Sequence, residues 1–114
     1  MVERLEPRRG EVWWALSDKR RPVVVVQADF LNRSRTDWIL AVPLTSNLAR
    51  GEAPGNVRLG KDETGLTRPS VANVGQVAPV HRSGIGQRSG RLPRESMDRI
   101  DDGLRLVLSL GTGL

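Results

Sequence analysis

Two short segments of the chain carry side chains suited to phosphate chemistry. Arg21 stands at the start of the apolar run in KRRPVVVVQ (Lys19–Gln27). Thr45 and Ser46 follow the apolar run in AVPLTSN (Ala41–Asn47). If the two runs are neighbouring strands of a hairpin, a fixed guanidinium and a hydroxyl lie close together. This pair suits the capture of a phosphodiester or an attack on it, because a guanidinium matches the geometry of phosphate oxygens.

The register of the two strands decides whether these side chains meet. We predict an antiparallel register in which Thr45 lies opposite Arg21, on one side of the sheet. A guanidinium held by a strand is aimed before substrate arrives, so it can stabilise charge that develops on non-bridging phosphate oxygens. The alternatives are plainer: Arg21 is then a solvated strand end, and Thr45 caps a turn.

Other catalytic patterns are missing from the chain. It contains no HExxH, P-loop or GxSxG motif, and it has no cysteine, which excludes disulfides, thiolate catalysis and cysteine-based zinc sites. A single histidine, His81, cannot supply the acid–base pair of a two-histidine ribonuclease, and we interpret it as a surface or turn residue. Two pairs of adjacent carboxylates, Asp62–Glu63 and Asp101–Asp102, fall in a turn and on a solvated helix face, so we expect no metal site.

The charge of the chain indicates a nucleic acid partner. Lysine and arginine total 18 against 13 acidic residues, for a formal net charge of +5. Only Lys19 and Lys61 are lysines, so arginine dominates the surplus. Such a bias favours nucleic acid binding, although a GC-rich genome explains the same composition equally well.

The hydrophobic pattern predicts a mainly β fold with a C-terminal helix. Apolar and β-branched runs predict five strands: Glu11–Leu16, Arg21–Ala28, Trp38–Leu44, Gly55–Leu59 and Ser70–Val80. Four consecutive valines indicate that the second strand is buried on both faces. We predict loops over 30–36, 47–54 and 60–69, and the glycine-rich stretch His81–Leu92 stays ambiguous. An apolar stripe then predicts a helix from Pro93, its first position, to Gly111, with Met97, Ile100, Leu104, Val107 and Leu108 on one side.

This arrangement predicts a single domain over residues 1–114, a small curved β-barrel capped by the helix. We expect residues 1–8 and 111–114 to be loose. The charged N-terminus does not resemble a signal peptide, and no apolar run approaches the about 18 residues that a membrane span needs. The simplest interpretation is a cytoplasmic protein.

Six segments, in the same order, resemble the MazF/PemK-type toxin endoribonucleases of bacterial toxin–antitoxin systems. They cover nearly the whole chain and read RRGEVWWAL, KRRPVVVVQ, VPLTSN, PGNVRL, SVANVGQV and GRLPRESMDRIDDGLRLVLSL. The resemblance implies an SH3-like barrel, a homodimer, and metal-independent cleavage of single-stranded RNA at short sequence motifs. It also implies that the ribose 2′-OH attacks, giving a 2′,3′-cyclic phosphate and a 5′-OH, and that a small acidic antitoxin of the MazE type inhibits the toxin.

The resemblance aligns the arginine before the strand proline on Arg21, and the threonine that ends the third strand on Thr45. We expect Arg21 to stabilise the phosphorane and Thr45 to position the scissile phosphate or the 2′-OH. Polar groups beside the site are candidates for contacts with bases or phosphates. These candidates are Asn32, Arg33, Arg35, Ser46, Asn47, Ser70, Asn73 and Gln76. Trp14 and Trp38 suit base stacking or, more simply, core or dimer packing.

The chain departs from the family at two places. Many members carry an acid and an arginine in the segment matched by NVGQVAP, where this chain has Gly75 and Ala78. The turn from Ser17 to Arg20 is also shorter than the mobile gate of some relatives, so gating and base preference are expected to differ.

Two other functions remain open at this point. A small basic barrel can bind RNA or the ribosome with no chemistry. A toxin of the same barrel type can instead poison a protein such as gyrase through its C-terminal residues. The tail GTGL (Gly111–Leu114) lacks the terminal tryptophan that such inhibitors use.

Overall fold

The computed structural model describes residues 5–16 and 18–111 of the chain. Within them the fold is mainly β, with a long helix at the C-terminal end. The strands are β1 (Glu11–Leu16), β2 (Arg20–Val25), β3 (Trp38–Thr45), β4 (Val57–Leu59), β5 (Ser70–Ala72), β6 (Ala78–His81) and β7 (Ile85–Arg91). The helices are α1 (Asp29–Asn32), α2 (Lys61–Thr64) and α3 (Arg94–Leu108). Short 3-10 turns occupy Leu48–Glu52, Val74–Gln76 and Arg82–Gly84.

The strands form one curled antiparallel sheet in the order β4-β5-β3-β2-β1-β7. Strand β3 pairs with two strands along the edge opposite β2. Its first half pairs with β6, and its last residues pair with β5. The strands at the two ends of this order, β4 and β7, are linked by α2, which follows β4 in the chain. The Ser89 hydroxyl of β7 donates to the Thr64 carbonyl of α2 at 2.8 Å. The predicted fold class, a mainly β small barrel with a C-terminal helix, is confirmed as a half-barrel.

Strand β2 is buried on both faces, as its valines predicted. Val24 lies in the main core, whereas Val23 and Val25 belong to two smaller clusters on the other face of the sheet. The strand ends at Val25 and not at the predicted Ala28. The reason is a local break in the ladder, because Val26 N–H and Gln27 N–H both donate to the Leu40 carbonyl.

The predicted strand Ser70–Val80 is wrong as a single element. The chain pairs with the end of β3 as β5, turns through Val74–Gln76, and returns to the start of β3 as β6. The side chain of Asn56 stabilises this break, since its oxygen accepts from Val74 N–H and its nitrogen donates to Asn73 Oδ1. The spacing of three between Val71, Val74 and Val77 was the sequence signal of this tight turn.

The ambiguous stretch after His81 contains β7, which pairs with β1 through two register shifts. Glycine suits this strand because it runs against α2. A Cβ on Gly90 would lie 2.6 Å from the Thr64 carbonyl oxygen. The close approach of the β7 and α2 backbones therefore explains why this strand is rich in glycine, a composition that argued against regular structure.

The C-terminal helix α3 packs against the main core. Met97 and Ile100 lie in the main core with Leu92, Val12 and Val24, whereas Val107 and Leu108 are exposed beyond the sheet. Pro93 is the N-cap and not the first helical residue. The helix ends at Leu108, before the predicted Gly111, and its C-cap Ser109 is in the left-handed conformation. The carbonyl of Arg105 accepts from Leu110 N–H at this end.

The N-terminal segment is packed where the structure describes it. Of residues 1–8, expected to be loose, 1–4 lie outside the described range, as do 112–114 of the expected loose tail. Pro7 is fully buried, and Arg8 N–H donates to Glu11 Oε1 at 2.7 Å. The predicted loop 30–36 begins within α1, and the loops 47–54 and 60–69 contain a 3-10 turn and α2. Across the described part of the chain, no helix combines the length and apolarity needed to cross a bilayer.

Candidate functional site

The β2–β3 hairpin has the predicted register. Val23 lies opposite Pro43, and Val25 lies opposite Ala41. The same register carried two residues further sets Arg21 opposite Thr45. Because side chains alternate along a strand, Arg21 and Thr45 share one face of the sheet with Val23 and Pro43.

Arg21 and Thr45 line a cleft of about 440 Å³ at the end of the hairpin. Its walls come from β1, the following turn, β2, β3 and the loop between α2 and β5. The lining residues are Trp14, Lys19, Arg21, Pro22, Leu44, Thr45, Ser46, Gly65, Leu66, Thr67, Arg68 and Ser70. Three of them are cations and, of these described residues, none is a carboxylate. Such a surface attracts polyanions, since a concave wall of one charge sign focuses the field.

The Thr45 hydroxyl is oriented by the backbone. Its Oγ1 accepts a hydrogen bond from Asn47 N–H at 3.1 Å. A hydroxyl that accepts from the chain can still donate its own proton. The Thr45 O–H is therefore suited to donate to an anionic oxygen in the cleft.

One tryptophan belongs to the cleft and the other does not. Trp14 is half-buried in the cleft wall, and the Arg20 guanidinium lies 4.6 Å from its ring centroid. Trp38 is 53% exposed near the opposite end of β3 and packs edge-on against His81, with 5.0 Å between ring centroids. Base stacking thus fits Trp14 alone of these two.

Arg21 also lines a smaller hollow of about 220 Å³ beside the cleft. Buried Ala15, Val23 and Ala41 contribute to it, with Arg21 and Gln76 as its polar members. The full lining is Ala15, Arg21, Val23, Ala41, Pro43, Gln76, Ala78, Pro79 and Val80. Arg21 therefore borders both concave surfaces.

Four of the eight candidate contact residues are brought close to Arg21 or Thr45. Ser46 and Ser70 line the cleft, Gln76 lines the hollow, and Asn47 follows directly after Ser46. The Asn47 side chain has a structural use, because it accepts from Ala49 N–H and caps the 3-10 turn Leu48–Glu52.

The other four candidates lie away from the cleft and the hollow. Asn32 is 1% exposed, and its amide bonds to Gln27 and Asp29, so it holds α1 on the sheet. Asn73 is half-buried and accepts from the Asn56 amide. Arg33 and Arg35 are exposed but follow α1, at the opposite end of β2 from Arg21. None of the four lines the cleft or the hollow.

Sequence reasoning missed the wall formed by the loop after α2. Gly65 ends α2 with a φ of 75°, and a Cβ there would lie 2.0 Å from the Ser89 carbonyl oxygen. This glycine lets the chain turn tightly against β7 and bring Thr67 and Arg68 to the cleft. The sequence signal that could have indicated this wall is the cation Arg68, which lies two residues before the candidate Ser70 in GLTRPS.

Two carboxylates with shifted ionisation lie outside the cleft. Burial raises the pKa of Glu11, but hydrogen bonds from Arg88, Arg8 N–H and the Trp13 indole outweigh it and leave that pKa below 4.5. Burial also raises the pKa of Asp29, and hydrogen bonds from Arg9 N–H and the Asn32 amide bring that pKa below its ordinary value.

His81 is exposed, and its Nδ1 lies 2.7 Å from Ser83 Oγ, which fits the expected turn residue. Over residues 5–16 and 18–111, no group of histidine and carboxylate side chains is arranged to hold a metal ion.

A family profile described as the PemK-like, MazF-like toxin of type II toxin–antitoxin systems matches residues 8–108. The chain belongs to this toxin family. Endoribonuclease MazF6 of Mycobacterium tuberculosis is 39% identical over 110 residues, which cover 90% of this chain and 96% of the relative. Endoribonuclease EndoA of Bacillus subtilis is 29% identical over 90 residues, covering 79% and 77% of the two chains.

Solved structures share the fold of this toxin-family chain. A mycobacterial endoribonuclease in complex with its cognate antitoxin superposes with a TM-score of 0.80 at 26% identity, over 93% of this chain and 98% of that one. The MazF of a MazE–MazF complex from Deinococcus radiodurans gives a TM-score of 0.76 at 20% identity, over 94% and 99% of the two chains. The predicted SH3-like barrel of the MazF/PemK type is confirmed by these likenesses.

Proposed function

We propose that the protein is a sequence-specific, metal-independent endoribonuclease that cleaves single-stranded RNA and thereby inhibits translation and growth. The observation that carries this proposal is the shared sheet face of Arg21 and Thr45 at a cationic cleft. Membership of the toxin family and the relatives named as endoribonucleases support the same activity.

The nucleophile in this reaction is the substrate's own 2′-OH. Its oxygen forms a bond to the adjacent phosphorus, and the bond from phosphorus to O5′ breaks. The 2′ proton is lost, O5′ gains a proton, and the products carry a 2′,3′-cyclic phosphate and a 5′-OH. An intramolecular nucleophile leaves the protein chiefly to orient and stabilise, and the need for a 2′-OH selects RNA over DNA.

Arg21 and Thr45 take complementary roles in this scheme. Arg21 stabilises the charge that grows on the non-bridging oxygens, since a guanidinium with a pKa above about 12 is a poor general base. Thr45 donates its hydroxyl proton to the scissile phosphate or holds the 2′-OH. Ser46 and Ser70 add hydroxyls on the same cleft wall.

Primer extension on a long RNA tests this function. We expect purified protein to generate new 5′-OH ends at a short recurring motif, equally in buffer and in EDTA. A 2′-deoxy substitution at the cleaved ribose should abolish cleavage of that site. Binding without new ends would favour the non-catalytic RNA-binding barrel, and loss of cleavage in EDTA would refute the metal-independent mechanism.

The cleft also suits the acidic antitoxin of the MazE type. Lys19, Arg21 and Arg68 offer an acidic, initially disordered segment the same charge complementarity that they offer RNA. Such a segment would shield Arg21 directly. A stoichiometric toxin–antitoxin complex should therefore neither bind nor cleave RNA, and a saturated complex that cleaves at the free rate would refute occlusion.

Homodimer formation is supported by exposed apolar side chains. Phe30 and Leu31 of α1 and Trp38 and Leu40 of β3 are 68%, 41%, 53% and 44% exposed. These side chains of α1 and β3 are suited to contact a second copy of the chain. Light scattering should report a dimer, and Trp38→Ser with Phe30→Ser should shift it to monomer. We place the protein in the cytoplasm, where its RNA substrate and antitoxin partner are made.

A further inference from the structure

The hollow beside Arg21 has a composition unlike the cleft. Its buried members are small and apolar, since Ala15 and Ala41 are almost fully enclosed and Ala78 pairs with Ala41 across β3 and β6. Gln76, an exposed residue at the end of the turn Val74–Gln76, also lines the hollow and carries an amide side chain. A small apolar surface with one amide beside it suits a flat heterocycle with a polar edge.

Ala78 is one of the small side chains that line the hollow. Residue 78 lies opposite Ala41 at the start of β6, on the face that carries Val23 and Arg21. A larger residue there would extend into the 220 Å³ that the alanine leaves open. Gly75, one residue before Gln76, also leaves space, since a Cβ there would meet nothing within 4 Å.

The position of the hollow next to Arg21 indicates which part of the RNA would bind in it. If the scissile phosphate sits at Arg21, the nucleotides on its two sides must pass over the two surfaces that Arg21 borders. Bases of single-stranded RNA are unpaired, so their edges are free for hydrogen bonds and their faces for apolar contact. An amide side chain offers a donor and an acceptor together, which matches the edge of a base.

We propose that the hollow binds the nucleobase on one side of the scissile phosphate, with Gln76 contacting its polar edge and Ala78 setting the room available. This inference rests on the proposed function and adds a specificity site to it. The cleft on the other side of Arg21 takes the second neighbouring nucleotide.

Mapping of cut sites tests the hollow directly. Wild type, Ala78→Leu, Gln76→Ala and Gly75→Ala are each incubated with a pool of random RNA, and the 5′-OH ends are sequenced. In Ala78→Leu and Gln76→Ala, we expect base preference to weaken or change at a single position next to the cut. We expect kcat/KM on the wild-type motif to fall by about 10- to 200-fold, the range for a pocket altered by small groups. Gly75→Ala should match wild type, because its new methyl group enters open space.

A binding assay covers variants that cleave too slowly to map. The probe is the wild-type motif with a 2′-deoxy ribose at the cut, which cannot react, and its four versions differ in the base next to the scissile phosphate. Wild type should discriminate among the four, and Ala78→Leu should not, while circular dichroism confirms that both are folded. Unchanged base preference in both Ala78→Leu and Gln76→Ala would overturn the proposal even if wild type cleaves normally. Absence of cleavage by wild type would instead overturn the proposed function, and the binding assay would still decide whether the hollow discriminates bases.

Discussion

At the residue scale, chemistry depends on how a few side chains are held. Arg21 has an ordinary environment in the sequence, a cation at the start of a valine run. In the fold it borders both the cleft and the hollow, opposite a hydroxyl that the Asn47 backbone N–H orients. Asn32 is the opposite case. Its place in a predicted polar loop suggested an accessible side chain, but in the fold its amide is buried and hydrogen-bonded to Gln27.

Substitution of Arg21 and Thr45 tests their assigned roles. Arg21→Ala should lower kcat by about 100- to 1,000-fold, the usual cost of losing one preorganised donor to a developing anion. Thr45→Val should reduce kcat while Thr45→Ser, which keeps the hydroxyl, retains most of it. Single-turnover cleavage of a matched RNA is the measurement, with Arg33→Ala as the control far from the cleft. Wild-type rates in Arg21→Ala would contradict the assignment.

At the element scale, the buried carboxylate of Glu11 connects β1 to neighbouring segments through hydrogen bonds. Glu11 accepts from Arg88 at 2.8 Å, from the Trp13 indole at 3.2 Å and from Arg8 N–H at 2.7 Å. It thereby joins β1 to β7 and to the N-terminal segment. The pKa of Glu11 lies below 4.5 because these bonds outweigh its burial.

The lowered pKa of Glu11 has a consequence for stability in acid. A carboxyl with a folded pKa below its unfolded pKa stabilises the fold fully above the unfolded value. That contribution is lost as the pH falls from about 4.5 through the folded value. Urea unfolding from pH 7 down to pH 3 should show a declining free energy of unfolding, and Glu11→Gln should be less stable at pH 7 with a shallower decline. An equally steep decline in the variant would assign the acid sensitivity to other groups, Asp29 first among them.

The contact between α3 and the loop before β4 is equally specific. Gly103 is buried in α3, and a Cβ there would lie 2.2 Å from the Gly55 carbonyl oxygen. Alanine improves helix propensity by about 1 kcal/mol, but overpacking costs about 1–3 kcal/mol, and here the obstacle is backbone. We expect Gly103→Ala to destabilise the protein in urea unfolding, whereas Gly75→Ala is neutral. A stabilised Gly103→Ala would mean that α3 moves away freely.

At the scale of the whole molecule, the surplus of positive charge acts through its distribution. The formal net charge is +5. Three cations line the cleft, and no carboxylate is among its lining residues in the part of the chain that the structure describes. Outside the cleft, some arginines form ion pairs, such as Arg88 with Glu11 and Arg9 with Asp101. In the cleft, positive charge and hydroxyl groups lie together, because Lys19, Arg21 and Arg68 share its lining with Thr45, Ser46 and Ser70.

The salt dependence of RNA binding measures this distribution. Each phosphate contact on single-stranded nucleic acid contributes about 0.7 to the slope of log Kd against log salt. Arg68→Ala and Lys19→Ala should each reduce the slope by about that amount on the uncleavable RNA. Arg35→Ala, which removes the same charge at the other end of the sheet, should leave the slope unchanged. A uniform loss in all three variants would indicate that only the net charge matters.

Short-range patterns in the sequence determined much of this protein. Strand β1 has the predicted bounds, a helix forms over 94–108 with Met97 and Ile100 of its apolar stripe in the core, and the valine run predicted that β2 is buried on both faces. These features depend on alternation and periodicity among neighbouring residues, which local sequence carries completely. The resemblance of six segments also indicated the toxin family, and the profile match over residues 8–108 confirms it.

Only the tertiary structure decided how distant segments meet. It divided Ser70–Val80 between two ends of β3, buried Asn32, brought Arg68 to the cleft and left a hollow beside Ala78. Each of these outcomes depends on which backbone lies against which, as with Gly65 on Ser89 or Gly90 on Thr64. Contacts between residues far apart in the chain are set by the packing of all elements together, and no local period records them.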